Sequence, residues 1–168
     1  MIRTIVLSSV LLSFCVFAQT TWLGAVAVLQ VVPDLSLVVL LWLSYQNGPV
    51  EGPASAFAAG LVEDFLSAAP LGFHAFVKTS VAFLASFLHG SFFIDRLVLP
   101  IALGALGTLA KAVAAGLLVL VFGDKVHGYA LFERVLWIEA AYNGLVAPAV
   151  FLVLSLFRRL LVTARGRE

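Results

Sequence analysis

The chain has 168 residues, of which 62% are hydrophobic and only 11% are charged, and its formal net charge is +1. A water-soluble domain of this size cannot bury so much apolar surface, whereas helices surrounded by lipid do not have to. With a mean hydropathy of +1.12, the composition excludes an ordinary soluble protein and predicts an all-α integral membrane protein in a lipid bilayer. The net charge by itself says nothing about partners. The basic segments Lys125-Val126-His127 and Arg165-Gly166-Arg167 are interpreted as a solvated loop and a membrane-surface anchor, so no nucleic-acid partner is predicted.

The first apolar segment, residues 4–20, follows Arg3 and predicts a membrane-spanning helix. A short secretory signal with Val16-Phe17-Ala18 as its cleavage site is the alternative interpretation. Lipidation at Cys15 is excluded because the bulky Phe14 stands where a lipoprotein signal requires a small residue. As the single cysteine of the chain, Cys15 cannot form an internal disulfide.

A second helix is predicted over residues 33–45, beginning at Pro33 and Asp34. The proline disfavours helical geometry at Val32, and a carboxylate in the first turn of a helix interacts favourably with the helix dipole. At 1.5 Å per residue this helix is about 20 Å long, which is short for a hydrocarbon core of about 30 Å. We therefore expect local thinning of the bilayer, or protein around the ends of this helix.

The third and fourth helices, predicted over residues 49–66 and 70–88, form a hairpin. Pro49 can open a helix without losing a needed N–H, and Pro70 cannot continue the third helix but can open the fourth. The small residues Ala54, Ala58 and Gly60 allow neighbouring backbones to come close, and we expect them to be helix-packing residues. The third helix is accordingly predicted to be central in the bundle.

The fifth and sixth helices are predicted over residues 97–122 and 133–157, which completes a single transmembrane domain of six helices spanning residues 1–168. Pro148 should kink the sixth helix, because its ring collides with the carbonyl of Gly144. Six spans place both termini on one side of the membrane. The positive-inside rule assigns that side to the cytoplasm, because most basic residues then lie inside: Arg3, Arg96, Arg158, Arg159, Arg165 and Arg167.

Polar residues within or beside these apolar helices form the candidate site. An ionisable side chain at the bilayer centre costs roughly 2.5–3.5 kcal/mol, so these residues should face the interior of the bundle. In the predicted topology they occupy overlapping depths, mostly in the outer half of the membrane. The eight residues are Asp34, Glu63, Asp64, His74, Lys78, Lys111, Glu139 and Asn143.

Two roles for this polar cluster remain open. The residues can form buried pairs that fix helix register, such as Asp64 with Lys78 and Glu139 with Lys111. Alternatively, they can line a polar cavity that opens to the outside or receives a partner's helix.

The sequence predicts no catalytic, cofactor or metal site, and hence no enzyme. His74 has no second histidine or cysteine at ligand spacing. Glu63 and Asp64 are adjacent on a helix and point about 100° apart, so they cannot present two carboxylates to one substrate atom. Phosphate-binding glycine loops, metalloprotease motifs and nucleophile elbows are also missing from the sequence.

The order of several short motifs along nearly the whole chain resembles the rod shape-determining protein MreD family. The motifs are Val32-Pro33-Asp34, Gly48-Pro49, Gly60 to Asp64, Pro70-Leu71-Gly72-Phe73-His74, and Glu139, Asn143 and Pro148 before Arg158-Arg159. Two features depart from the family: Ala68-Ala69 stands where a glycine is more usual, and Lys78 is not typical.

The resemblance implies a non-enzymatic, multi-pass scaffold of the cell-elongation machinery in the bacterial cytoplasmic (inner) membrane. It implies binding to an MreC-like single-span protein, with MreB, RodA and a class B penicillin-binding transpeptidase in one complex for lateral peptidoglycan synthesis. It also implies a fold like that of the substrate-binding subunit of energy-coupling-factor transporters. A vitamin or small-molecule uptake subunit is therefore the alternative function, although the first helix offers only Ser9 and Ser13 where such subunits carry an Ala-x-x-x-Ala docking face.

Overall fold

The computed structural model describes residues 1–21, 31–90, 97–123 and 133–163, apart from the side chain of Thr20. These residues form an all-helical structure with six helices: α1 (Ile2–Thr21), α2 (Leu35–Leu66), α3 (Phe73–Ser86), α4 (Val98–Phe122), α5 (Arg134–Leu156) and the short α6 (Arg158–Leu161). The predicted connections at 91–96 and 124–132, together with Arg165 and Arg167, lie outside the described residues.

Helix α2 turns sharply at Gly48, whose φ of 78° and ψ of −165° are not helical. Its halves, residues 35–47 and 49–66, correspond to the predicted second and third helices. In a straight helix, Ser44 and Gly52 would be about 12 Å apart. Instead, a Cβ at Gly52 would lie 2.6 Å from the Ser44 Cα. The two halves therefore fold back on each other.

In a regular helix the Tyr45 carbonyl would accept a hydrogen bond from the N–H of residue 49. Residue 49 is a proline without an N–H, and the backbone turns at Gly48, so this bond is missing. The Nδ1 of His89, beyond the end of α3, lies 2.7 Å from this carbonyl oxygen and donates a hydrogen bond to it. On the same side of the bundle, the side-chain amide of Asn47 donates to the carbonyl of Leu161. These bonds hold the turn of α2 against α3 and α6.

Helix α3 packs tightly on the second half of α2. A side chain at Gly60 would collide with the backbone of Ala75, so only glycine permits this approach. The prediction that this helix begins at Pro70 is wrong by three residues. Gly72 has a left-handed φ of 93°, and α3 starts after it, at Phe73.

Helices α4 and α5 also meet through small residues. A Cβ at Gly104 would lie 2.6 Å from the Asn143 carbonyl oxygen, and Gly144 faces Ile101 across the same contact. Helix α5 runs through Pro148 from Arg134 to Leu156. The predicted kink there has no measured angle and stays a prediction.

The first half of α2 is the centre of the core. Its apolar residues are buried on all sides, including Leu40, Trp42 and Leu43. By contrast, α1 and α4 expose long rows of large apolar side chains, as helices in lipid do. Ile2–Gln19, Val98–Phe122 and Arg134–Leu156 are long and apolar enough to cross a membrane. The fold is thus that of a membrane protein with three candidate spans in the described part of the chain.

Candidate functional site: a polar cavity at one end of the bundle

A cavity of about 490 Å³ lies where α2 begins and ends, and where α3 and α5 begin. The end of α1 and the later part of α4 complete its wall. Six of its lining side chains are ionisable: Asp34, Glu63, His74, Lys78, Lys111 and Glu139. We call this space the polar cavity. Five separate helices thus bring together residues that are up to about a hundred positions apart in the chain.

Asp34 occupies the position just before α2 and caps that helix. Its Oδ1 accepts hydrogen bonds from the Leu37 N–H at 2.9 Å and the Ser36 hydroxyl at 2.9 Å. A carboxylate at this position satisfies an N–H that has no partner within the helix. The predicted non-helical segment before this helix is present at residues 32–34, but the helix begins at Leu35, two residues after the predicted Pro33, with Asp34 as its N-cap.

Lys111 bridges two carboxylates from different parts of the chain. Its Nζ lies 2.8 Å from Asp34 Oδ2 and 2.5 Å from Glu139 Oε1. The expected pairing of Glu139 with Lys111 is thus present, and Asp34 joins it. All three side chains are largely buried, so this bridge ties α4 to α5 and to the start of α2.

Asn143 extends this network one turn along α5. Its Oδ1 accepts from the Asp34 backbone N–H at 2.8 Å, and its Nδ2 donates to the Thr108 hydroxyl at 2.9 Å. Sequence reasoning identified Asn143 but missed Thr108. A signal existed, because Thr108 is three residues from Lys111 and therefore shares its helix face.

Lys78 pairs with Glu63, whose Oε2 is 2.5 Å from the lysine Nζ. The same Nζ donates to the Ser36 hydroxyl at 2.8 Å, which links Lys78 to Asp34 through Ser36. The expected pairing of Lys78 with Asp64 is therefore wrong. Adjacent residues on a helix point in different directions, and it is Glu63 that points towards the lysine.

Asp64 instead caps α3 from the neighbouring helix. Its two carboxylate oxygens accept backbone N–H bonds from Gly72, His74 and Ala75, at 2.9, 2.7 and 3.2 Å. The His74 Nδ1 also lies 2.9 Å from Oδ1, and the Asp64 side chain is fully buried. The residue before α3, Gly72, has no side chain to cap the helix, so Asp64 satisfies backbone N–H groups at its start that have no partner within the helix.

A comparison with protein-family models tests the family resemblance that the motifs indicated. The model of the rod shape-determining protein MreD matches residues 1–157. The chain belongs to the MreD family. Comparisons with curated proteins and with solved structures gave no match.

Membership of the MreD family connects this protein to rod-shape determination, the role that the family description names. MreD is a family of shape-determining structural proteins and not a known enzyme family. The likeness to transporter subunits rests on the sequence resemblance alone, and it stays an expectation.

His74 is the most exposed ionisable residue of the polar cavity in this MreD-family protein. Its Nε2 is 3.8 Å from Glu63 Oε1, while its Nδ1 contacts Asp64. Within the described ranges, no three His, Cys, Asp or Glu side chains are arranged to hold a metal ion. The imidazole of His74, at the start of α3, therefore lies between the carboxylates of Glu63 and Asp64 on α2.

The three predicted packing residues occupy two different environments. Gly60 is buried against α3, whereas Ala54 and Ala58 are only half-buried. Phe57 and Phe65 lie near these alanines on α2 and are 50% and 75% exposed. The alanines and the exposed aromatic residues thus form a mixed surface on the second half of α2, outside the polar cavity.

Proposed function

We propose that this protein is a non-enzymatic scaffold subunit of the cell-elongation machinery in the bacterial cytoplasmic membrane. The match of the MreD family model to residues 1–157 is the observation that carries the proposal. In this role the chain binds an MreC-like single-span partner and supports lateral peptidoglycan synthesis. MreB, RodA and a class B penicillin-binding transpeptidase are the further proposed members of the complex.

The proposed contact for the partner's helix is a stripe along the second half of α2. Val50, Ala54, Phe57, Ala58 and Phe65 recur at helical spacing and share one face. The alanines allow a second backbone to approach, and the exposed aromatic rings provide contact area on either side. This combination suits a transmembrane helix better than it suits lipid alone.

We further propose six membrane spans, with both halves of α2 and the short α3 crossing beside α1, α4 and α5. Residues 35–47 and Phe73–Ser86 are short for a bilayer, but protein surrounds the first of these almost completely. Six spans with both termini in the cytoplasm place the polar cavity towards the outer surface. The contact stripe on α2 then runs through the membrane below it.

The test is a binding measurement with the purified protein in detergent. A labelled peptide of the MreC transmembrane helix should bind, and Ala58→Leu should weaken binding about tenfold or more, because the added side chain separates the backbones. Gly116→Leu is the matched control, since a Cβ at Gly116 on α4 meets no atom within 4 Å. Equal loss in both variants, or no binding by the folded parent protein, would contradict the proposed stripe.

The polar cavity favours one alternative, a substrate-binding subunit for uptake of vitamins or other small molecules. A volume of about 490 Å³ is within the size range of small-molecule sites. Titration of the same protein with a panel of vitamins separates the two functions. Tight binding of a vitamin, with no association of the partner helix, would replace the scaffold proposal with transport.

A further inference from the structure

The described residues of the polar cavity carry more negative than positive charge. Its lining includes three carboxylates, of Asp34, Glu63 and Glu139, but only two ammonium groups, of Lys78 and Lys111. His74 does not correct the imbalance, because it contacts Asp64, a fourth carboxylate. Even a protonated His74 would add one positive charge against the one negative charge of Asp64, so the excess would remain. Among the described residues, at least one negative charge in this region therefore has no cation to balance it.

Two carboxylate oxygens at the cavity also lack a hydrogen bond within the described part of the chain. Glu139 uses Oε1 for Lys111, and its side chain is only 6% exposed, yet its Oε2 has no donor there. Glu63 uses Oε2 for Lys78, and its Oε1 is 3.8 Å from the nearest imidazole nitrogen of His74, beyond hydrogen-bond distance. A carboxylate oxygen can accept more than one hydrogen bond, so both oxygens can accept from a ligand that donates hydrogen bonds into the cavity.

An anionic ligand fits this cavity poorly. Lys111 is already shared between Asp34 and Glu139, and Lys78 is held by Glu63 and the Ser36 hydroxyl. Taking either lysine for a ligand would leave a buried carboxylate without its partner, which is strongly destabilising.

The shape and the remaining walls of the cavity indicate an organic cation. About 490 Å³ is some sixteen times the ~30 Å³ that one water molecule occupies in the liquid. A bare divalent ion is disfavoured because no three His, Cys, Asp or Glu side chains within the described ranges are arranged to hold one. The other lining residues are mainly apolar and can contact a hydrocarbon stem, including Val31, Phe73, Val77, Ala115 and Val135.

We propose that the polar cavity binds a primary ammonium or guanidinium group on an apolar stem, with Glu63 and Glu139 as the hydrogen-bond acceptors. This chemistry is that of a lysine or arginine side chain beside a partner's membrane helix, whose hydrocarbon stem ends in the cationic group. The proposal goes beyond the scaffold function and does not depend on it, because it concerns the cavity and not the stripe on α2.

Calorimetric titration of the purified protein, in a maltoside detergent and an amine-free buffer, tests the proposal. The probes are propylguanidinium and its neutral counterpart propylurea, which has nearly the same shape. Propylguanidinium should bind and propylurea should not. Glu63→Gln and Glu139→Gln should each lower the affinity roughly tenfold, the loss expected for one charge-assisted hydrogen bond.

Glu51→Gln is the matched control, because Glu51 lies on α2 outside the cavity lining and its neutralisation should leave the affinity unchanged. Circular dichroism verifies that each variant is folded. If Glu139→Gln does not fold, Glu63→Gln, whose side chain is partly exposed, provides the comparison. Absence of propylguanidinium binding, equal binding of propylurea, or unchanged affinity in a folded cavity variant would overturn the proposal.

Competition then identifies the source of the cation. Displacement of propylguanidinium by phosphatidylethanolamine, but not by phosphatidylcholine or by a basic partner-helix peptide, would overturn the proposal in favour of a lipid headgroup. Displacement by a partner-helix peptide that loses its effect when its basic residue is changed to glutamine supports it with a protein side chain as ligand.

Discussion

Asp64 near the end of α2 accepts two hydrogen bonds from His74 at the start of α3, one from its backbone N–H at 2.7 Å and one from its ring at 2.9 Å. The carboxylate therefore joins the two helices at their shared turn. It also places a negative charge at the positive end of the α3 dipole, where such a charge is stabilising. A residue that sequence reasoning treats as a partner for a lysine is in the structure a helix cap.

Replacing this cap should destabilise the protein. In Asp64→Ala, three backbone N–H groups at the start of α3 lose their acceptor, and we expect a loss of about 1–3 kcal/mol in the free energy of unfolding. Asp64→Asn should lose less, because one carbonyl oxygen remains. Denaturant unfolding in detergent, followed by circular dichroism, measures the difference. The cap assignment would be wrong if Asp64→Ala unfolded at the same denaturant concentration as the parent protein.

Removing Lys111 alone from its bridge to Asp34 and Glu139 should cost more stability than removing Lys111 and the Glu139 charge together. Lys111→Met leaves two buried carboxylates without their cation, and we expect a loss of about 3–5 kcal/mol in stability. The double variant Lys111→Met/Glu139→Gln should recover part of this loss. A double-mutant cycle of unfolding free energies measures the coupling between the two residues. Simple additivity of the two single changes would contradict a direct bridge.

Gly60 and Gly116 offer a matched pair of glycine substitutions. Gly60→Ala places a methyl group against the Ala75 backbone, and we expect it to cost about 1–3 kcal/mol or more through overpacking. Gly116→Ala has open space around its Cβ and should stabilise α4 by up to about 1 kcal/mol, because alanine favours helix. Thermal unfolding of both variants gives the comparison. Similar effects at the two positions would show that α2 and α3 do not pack through Gly60.

The orientation of the chain in the membrane is a separate prediction. We expect both termini in the cytoplasm, because basic residues concentrate on that side in a six-span arrangement. Reporter proteins fused after Glu168 provide the measurement: a reporter that works only in the cytoplasm should be active. Activity solely from a reporter that requires export would reverse the orientation and place the polar cavity towards the cytoplasm.

Local chemistry made several features of the fold predictable from sequence. Proline lacks an N–H and restricts its neighbour, so the breaks at Pro33 and at Gly48-Pro49 could be located without knowledge of any contact. The cost of ionisable groups in lipid likewise identified the polar residues that would turn inwards, and six of them line the polar cavity. The ordered motifs were also sufficient to indicate the MreD family, which the family model then matched.

Tertiary structure alone decided the partners of those residues. Glu63 and Asp64 are identical in their local sequence signal, yet one pairs with Lys78 and the other caps α3. The difference depends on the rotation of α2 about its axis, since neighbouring side chains on a helix point about 100° apart. Asp34 and Lys111 meet across 77 positions for the same kind of reason: their contact depends on how separate helices pack, and no local pattern specifies that packing.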